Sequence, residues 1–250
     1  MRLLRGIVFF VFFAALQPGH STPVMAMAIQ CHLKKAPRIS VMPSNSRIQY
    51  DFTKSKAALD KVDVDTVSPY GPHHKTYVSG LMSGAISIRS RIAFAQEIYE
   101  NIGVGCTYVK SVEVTLHVDP TIFIASEYPR GSCMHQAILD HELKHVREDQ
   151  LIINKYAAIL DTELSQKISR LRHKYEPVLI ADIKDLQNDV QEQIHDVVRD
   201  YNSQLNQERQ QRQQAIDTLE EYESIGRRCQ GSKKGRYTYV APADAAAHRH

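Results

Sequence analysis

The segment His141-Glu142-Leu143-Lys144-His145 carries the clearest chemical pattern in the chain, two histidines four residues apart with a glutamate beside the first. On a helix, residues four apart lie on the same face, one turn apart. Two imidazoles in this arrangement can bind one Zn²⁺, and the glutamate can act as general base on a water molecule that the metal activates. The spacing therefore predicts a zinc site with His141 and His145 as ligands and Glu142 as a catalytic base for hydrolysis.

The sequence leaves the third zinc ligand open. Glu148 is the best local candidate, because it follows His145 closely and has a long side chain. Asp149 is too short to bridge the roughly 12 Å that separates it from His141 along a helix axis. On a straight helix, Glu163 would lie roughly 27 Å from His145. The remaining candidates come earlier in the chain: His117 on the polar face of a predicted strand, and His73 and His74 in a loop flanked by proline.

Glycine and proline divide the chain into two parts that would position this motif. They are frequent in the first half and nearly absent from the second, where Pro177 interrupts an otherwise continuous stretch. The change predicts an α/β part over residues 29–132 and a helical part over 133–228, followed by a disordered tail over 229–250.

Alternation of apolar and polar residues predicts strands in the first part, since successive side chains of a strand point to opposite faces. These strands are expected at residues 48–52, 111–119 and 121–126. Apolar residues at helical spacing between Ile92 and Ile102 predict a helix over 87–102 that ends at Gly103.

The helical part predicts two long antiparallel helices that turn near Glu176 and Pro177. The second helix is expected over 178–225, with an apolar stripe of the kind found in coiled coils. The elements together predict an α+β fold, in which a small mixed or antiparallel sheet and the helix of the histidine motif are followed by a long helical hairpin.

Residues 1–28 have the pattern of a secretory signal peptide. Arg2 and Arg5 precede an apolar run over 7–16, which is too short to span a bilayer of roughly 30 Å, and small residues at a cleavage position follow it. The mature protein is therefore expected in the periplasm or outside the cell, with no membrane span after cleavage; an uncleaved anchor is the alternative. Removing residues 1–28 takes away two arginines and no acids, which lowers the formal net charge from +3 to +1 and leaves no basic field that would attract nucleic acid.

All four cysteines follow the predicted signal peptide. In an exported chain they can form two disulfides, with three possible connectivities. The preferred pairing is Cys106 with Cys133, which would tie the sheet to the helix of the histidine motif, and Cys31 with Cys229, which would tie the two ends of the domain together. Four unpaired thiols are the alternative.

Residues 104–160 resemble the zincin metallopeptidases, in which a sheet with an edge-like strand, here 121–126, precedes a helix that carries His-Glu-x-x-His. More narrowly, Cys133 and the run Asp140-His141-Glu142-Leu143-Lys144-His145-Val146 are similar to predicted secreted zinc-dependent proteases of bacteria. The resemblance implies a zincin-like active-site helix, zinc bound by the two histidines and a catalytic role for the glutamate. It implies nothing about which peptide or protein is the substrate.

The chain departs from the zincin patterns at the third ligand. Residues 146–151 lack the glycine and histidine with which metzincins continue, and no break in the helical pattern separates His145 from Glu163, as a gluzincin arrangement would require. Tyr128, beside the predicted edge-like strand, could stabilise an oxyanion as a tyrosine or histidine does in some zincins. The alternative for Tyr128 is a packing role.

Two functions of different classes follow from these patterns. The first is an exported zinc-dependent peptidase that uses Glu142 as general base. The second is a non-catalytic envelope protein that associates through its helix over 178–225, with zinc structural or absent; the polar, glutamine-rich stretch after Leu205 motivates it. A zinc-binding protein that buffers metal without turnover is intermediate between the two.

Overall fold

The computed structural model describes residues 29–32, 34–62, 67–70, 78–171 and 176–230. The predicted signal peptide, His73 and His74, and the predicted tail from residue 231 onward lie outside the described residues. The described part is a mixed α and β structure with two small mixed sheets and long helices.

Among the described residues, strands dominate the first half of the chain, with one single-turn α-helix among them, and helices dominate the second. Along the chain, the structure forms β1 (Arg38–Asn45), β2 (Gln49–Asp51), α1 (Lys56–Leu59), β3 (Gly80–Ser83), β4 (Ile86–Tyr99), β5 (Val104–Val118), β6 (Thr121–Ile124), α2 (Cys133–Leu171), β7 (Val178–Leu179), α3 (Ile183–Ile216) and α4 (Leu219–Cys229). Short 3₁₀ turns at Glu100–Ile102 and Ile180–Asp182 precede β5 and α3.

The first sheet has the strand order β1-β5-β4, with β1 parallel and β4 antiparallel to β5, and β7 pairs with the beginning of β5. The predicted strand over 111–119 is confirmed as the second half of β5. Its alternate residues form the core with the apolar faces of α2 and α3: Val112, Val114, Leu116 and Val118, all fully buried.

The helix predicted over 87–102 is wrong, because β4 occupies this segment and pairs with β5 along its whole length. Ile98 and Ile102 completed the helical spacing in the sequence, but they are 42% and 53% exposed and share no buried face with Ile92. Gly103 does end a helical turn as predicted: its φ of 70° closes the 3₁₀ turn between β4 and β5, a conformation that glycine adopts without steric cost.

The second sheet has the strand order β2-β6-β3. The predicted strand over 121–126 is confirmed as β6, but its predicted position at an edge is wrong. It lies between β2, which runs parallel to it, and β3, which runs antiparallel. Its buried residues Ile122 and Ile124 pack on the first turns of α2, and β2 and β3 are the strands that lie at the edges.

The predicted helical hairpin is present, with α2 ending at Leu171 and α3 beginning at Ile183. The second helix does not run from 178 to 225 as predicted, because it breaks at Asp217 and Thr218. Thr218 is the N-cap of α4, and its hydroxyl accepts a hydrogen bond from the backbone N–H of Glu221. Thr-x-x-Glu is the sequence of a capping box, which starts a new helix.

The disulfides join Cys31 to Cys106 and Cys133 to Cys229, so the predicted pairing is wrong. Cys133 begins α2 and Cys229 ends α4, and these two ends meet because α4 packs on the start of α2. Two disulfides indicate an oxidising environment. Among the described helices, none has both the length and the apolar character needed to cross a membrane.

Candidate metal centre

Helix α2 places the two histidines of the motif side by side in the interior. His141 and His145 are 4% and 7% exposed, and their Nε2 atoms lie 3.3 Å apart. The helical spacing predicted this proximity. Burial of both imidazoles results from α4 and the end of α3, which cover this face of α2.

Asp217 is the third member of the cluster. It occupies the break between α3 and α4, it is 5% exposed, and its Oδ1 atom lies 3.2 Å from Nε2 of both His141 and His145. Three ligand atoms from these residues lie within 4.8 Å of one another, an arrangement that could hold a metal ion. Burying a carboxylate here is costly unless a cation or a proton compensates its charge.

Asp217 was not predicted as a ligand, because the residue lies far from the motif along the chain and inside a segment expected to be one helix. The capping box that begins at Thr218 was the available signal. A helix that restarts there leaves the residue before it outside the helix, with φ −81° and ψ 62° at Asp217. Its side chain is thereby directed towards α2 instead of along the face of α3.

Glu142 lies beside the cluster and is 4% exposed. Burial raises the pKa of its carboxyl to about 7, although the charges of His141 and His145 and the backbone N–H of Met82 oppose the shift. A carboxyl that titrates near neutral pH can both accept and release a proton there.

Strand β3 holds Glu142 in place through close contact with α2. At Gly80, an added Cβ would lie 2.8 Å from Glu142 Oε1 and 2.3 Å from Ile138 Cγ2. Only glycine therefore allows the strand to approach the helix at this point.

Two residues of α4 contact His141 and were not predicted. Glu221 Oε1 lies 3.5 Å from His141 Nδ1 and 2.5 Å from Lys144 Nζ. Despite this proximity, Nδ1 of His141 forms no hydrogen bond with the described residues. The Tyr222 ring meets the His141 ring edge to face at 5.5 Å, and its hydroxyl donates to Asp217 Oδ1 at 3.4 Å. Burial and the neighbouring Asp217 carboxylate raise the pKa of the Tyr222 phenol.

A cavity of about 630 Å³ borders the cluster and Glu142. Strand β3 lines one side, and α4 lines another through Tyr222 and Ile225. The first turns of α2 contribute apolar side chains, Met134 and Ile138. The cavity therefore gives a small molecule or an extended chain a place beside the three converging ligand atoms.

The structure does not bring the predicted third ligand, Glu148, to the cluster. Its carboxylate accepts a hydrogen bond from Arg212 Nη1 at 3.1 Å, on the side of α2 that faces α3. His117 lies in β5 between two serine hydroxyls, those of Ser44 and Ser46. Glu148 is one residue away from the buried position, which Asp149 occupies, and Asp149 binds Arg209.

Tyr128 packs away from the cavity. Its hydroxyl lies 3.1 Å from the Ser79 hydroxyl, and the Lys56 ammonium lies over its ring at 4.4 Å. The side chain also packs on the core between the second sheet and α2. These contacts agree with the packing role, and the tyrosine that does lie beside the histidines is Tyr222.

No family model, curated protein or solved structure matches the chain. Fold and site together define a disulfide-linked protein of mixed α and β structure with a buried His-His-Asp cluster that could hold a metal ion.

Proposed function

We propose that the protein is an exported zinc-dependent peptidase. The observation that carries this proposal is the spacing of the three ligand atoms, 3.3 Å between the two Nε2 atoms and 3.2 Å from each to Asp217 Oδ1. A tetrahedral zinc ion with bonds of roughly 2.0–2.1 Å holds its ligand atoms roughly 3.3 Å apart. Two histidines and one carboxylate, with a fourth position left for water or substrate, are typical of catalytic zinc sites.

Zinc, when bound by His141, His145 and Asp217, would polarise a substrate carbonyl and make a neighbouring water more acidic. Glu142 would accept a proton from the attacking water as its oxygen bonds to the carbonyl carbon. As the C–N bond breaks, Glu142 would return that proton to the departing amine nitrogen. Burial of its carboxyl, with the pKa raised to about 7, supports both transfers.

The edge strand supports a peptide as the substrate. Strand β3 pairs with β6 on one side and, within the described residues, with no strand on the other. It lines the cavity beside Glu142. An extended peptide can add to such an edge through backbone hydrogen bonds, which would place a peptide carbonyl beside the metal centre. The disulfides and the predicted signal peptide support a location in the periplasm or outside the cell.

The test uses the purified mature chain without an affinity tag. Elemental mass spectrometry should find about one zinc per chain, and a mixed peptide library should be cleaved. Glu142→Gln should retain zinc and lose cleavage, whereas Glu148→Gln, on the same helix but paired with Arg212, should behave as the wild type. Undiminished cleavage by the Glu142→Gln variant would overturn the mechanism. Absence of zinc after reconstitution would overturn the metal assignment.

A further inference from the structure

A buried hydrogen-bond network lies behind His145, on the side away from Asp217. Gln213, in the last turn of α3, is 3% exposed, and its Oε1 atom lies 2.5 Å from His145 Nδ1. Its Nε2 atom donates to the backbone carbonyl of His145 at 3.1 Å and to Asp149 Oδ1 at 2.7 Å. The side-chain amide of Gln213 therefore contacts both the ring and the backbone of the same histidine.

The network determines which way the Gln213 amide points. Both groups that contact Nε2 accept hydrogen bonds and have no proton to donate, since one is a carbonyl and the other a carboxylate. Arg209 pairs with that carboxylate through Nε to Oδ1 at 2.7 Å and Nη2 to Oδ2 at 3.1 Å. Rotating the amide would direct Oε1 at two oxygens, which is costly in a buried site.

The direction of the amide in turn determines which nitrogen of His145 carries the proton. An amide oxygen only accepts, so the ring nitrogen that it contacts must be the donor. In a neutral imidazole with the proton on Nδ1, the lone pair is on Nε2. That atom lies 3.2 Å from Asp217 Oδ1, an acceptor that competes with Gln213 for the proton, and 3.3 Å from His141 Nε2, which can donate to it; these are the ligand atoms that converge.

We propose that Gln213 is a positioning residue, which holds the neutral His145 ring as the tautomer with Nε2 ready to bind metal, and that Asp149 and Arg209 set the direction of its amide. The role of Gln213 in metal binding rests on the proposed metal centre. The tautomer of His145, in contrast, is a property of the chain without metal. Arg209 also donates to the backbone carbonyl of Gly84 at 2.9 Å. The network thus connects α2 and α3 to the turn that follows β3.

The test is a nuclear magnetic resonance experiment on the metal-free mature chain labelled with ¹⁵N in its histidines. Long-range proton–nitrogen correlations, recorded at a pH well above the His145 pKa, distinguish the two tautomers. The wild type should show His145 protonated on Nδ1. In Gln213→Met, which keeps the length of the side chain but removes its hydrogen bonds, the Nε2-protonated form should increase.

Metal affinity provides a second readout. Loss of an outer-shell partner lowers affinity by roughly 10- to 100-fold, so Gln213→Met should weaken Zn²⁺ binding by that factor in competition with a chelator. Gln187→Met is the matched control, because Gln187 lies on the same helix and donates to Thr107 Oγ1 far from the cluster. It should leave both the tautomer and the affinity unchanged. If Gln213→Met does not fold, Gln213→Ala, which also removes the amide oxygen that contacts Nδ1, should shift the tautomer in the same direction.

Two results would overturn the assignment: His145 protonated on Nε2 in the metal-free wild type, or a folded Gln213→Met chain with unchanged tautomer and unchanged Zn²⁺ affinity. Neither depends on peptide cleavage. A chain that binds zinc without cleaving any peptide would refute the proposed function and leave the role of Gln213 intact.

Discussion

At the scale of single residues, the site depends on carboxyl and imidazole groups buried close together. Glu142 and Asp217 are both almost fully buried, and each lies beside a histidine. For Glu142, burial outweighs the attraction of the neighbouring imidazoles, so its pKa rises. The folded chain without metal therefore holds the proton on this carboxyl more tightly than the unfolded chain does.

The stability of the metal-free protein should consequently depend on pH through Glu142. Its pKa is about 7 in the folded state, against the ordinary value of 4.5 for a glutamate carboxyl. Because the folded state binds this proton more tightly, the contribution of Glu142 to the free energy of unfolding falls as pH rises from 4.5 to 7. The loss is on the order of 3 kcal/mol. Glu142→Gln should gain stability relative to wild type as pH rises, as measured by urea unfolding; a difference that is constant with pH would contradict this.

The raised pKa of His145 changes the stability with pH in the same direction. Burial lowers this pKa, but the hydrogen bond that the ring donates to Asp217 and the charges of Glu142 and Asp217 raise it overall. Stability from this group is fully present below the unfolded value near 6.5 and is lost as pH rises through the higher folded pKa. Because the Glu142 charge is one cause of the raised His145 pKa, Glu142→Gln also reduces this second contribution.

Asp217 should contribute more to metal binding than any outer-shell residue. Asp217→Asn replaces the buried carboxylate that lies 3.2 Å from both histidines. Zn²⁺ affinity should fall by more than the roughly 10- to 100-fold expected for an outer-shell change. Competition titration against a chelator measures it, with Glu148→Gln as the control whose affinity should not change.

At the scale of helices and strands, the sequence predicted best where the determinants are local. The long helix that carries the histidine motif follows from a continuous stretch without glycine or proline, and the second half of β5 from strict alternation. Asp217 could not be placed in the same way. Its position depends on a break at Thr218 and on the packing of α4 against α2, which joins segments far apart in the chain.

The failure at β4 has a different physical cause. Ile98 and Ile102 are apolar but exposed, so hydrophobic spacing there does not indicate a buried face. The disulfide pairing was unpredictable for a related reason, because the spatial proximity of Cys133 and Cys229 depends on the separate helix α4. Sequence spacing alone does not contain that information.

The contact between β3 and α2 provides a prediction at this scale. Gly80→Ala would place a Cβ against Ile138 and Glu142, and overpacking of this kind costs about 1–3 kcal/mol. The temperature of thermal unfolding and the rate of peptide cleavage should both fall. Gly226→Ala is the control for stability, because among the described residues nothing lies within 4 Å of its added Cβ; there, alanine should be neutral or stabilising in α4.

At the scale of the whole molecule, the described fold from Cys31 onward contains two hydrophobic core clusters, and one disulfide packs against each of them. The disulfide of Cys31 with Cys106 lies at the core of the first sheet, whereas that of Cys133 with Cys229 joins α2 to α4. The apolar face of α3 packs on α2 within the chain. Self-association through 178–225 therefore stays a prediction that would require other residues of that segment.

The two disulfides should differ in their effect on the metal centre. Removing either by a double substitution to alanine should cost about 2–4 kcal/mol of stability. Only Cys133→Ala with Cys229→Ala should also weaken Zn²⁺ binding, because α4 follows directly from Asp217 and carries Tyr222. Cys31→Ala with Cys106→Ala is the matched control. Equal Zn²⁺ affinities in the two folded double variants would show that α4 holds its place without the cross-link.

The location of Asp217 after the break in the second long helix also determines when the centre can form. A nascent chain that ends anywhere between His145 and Asp217 contains both imidazoles of the cluster but lacks its carboxylate. If the cluster binds metal as proposed, only the nearly finished chain can offer all three ligands. Unfinished or truncated products would carry the recognisable motif without the complete cluster, so the proposed peptidase activity would be confined to copies that include Asp217.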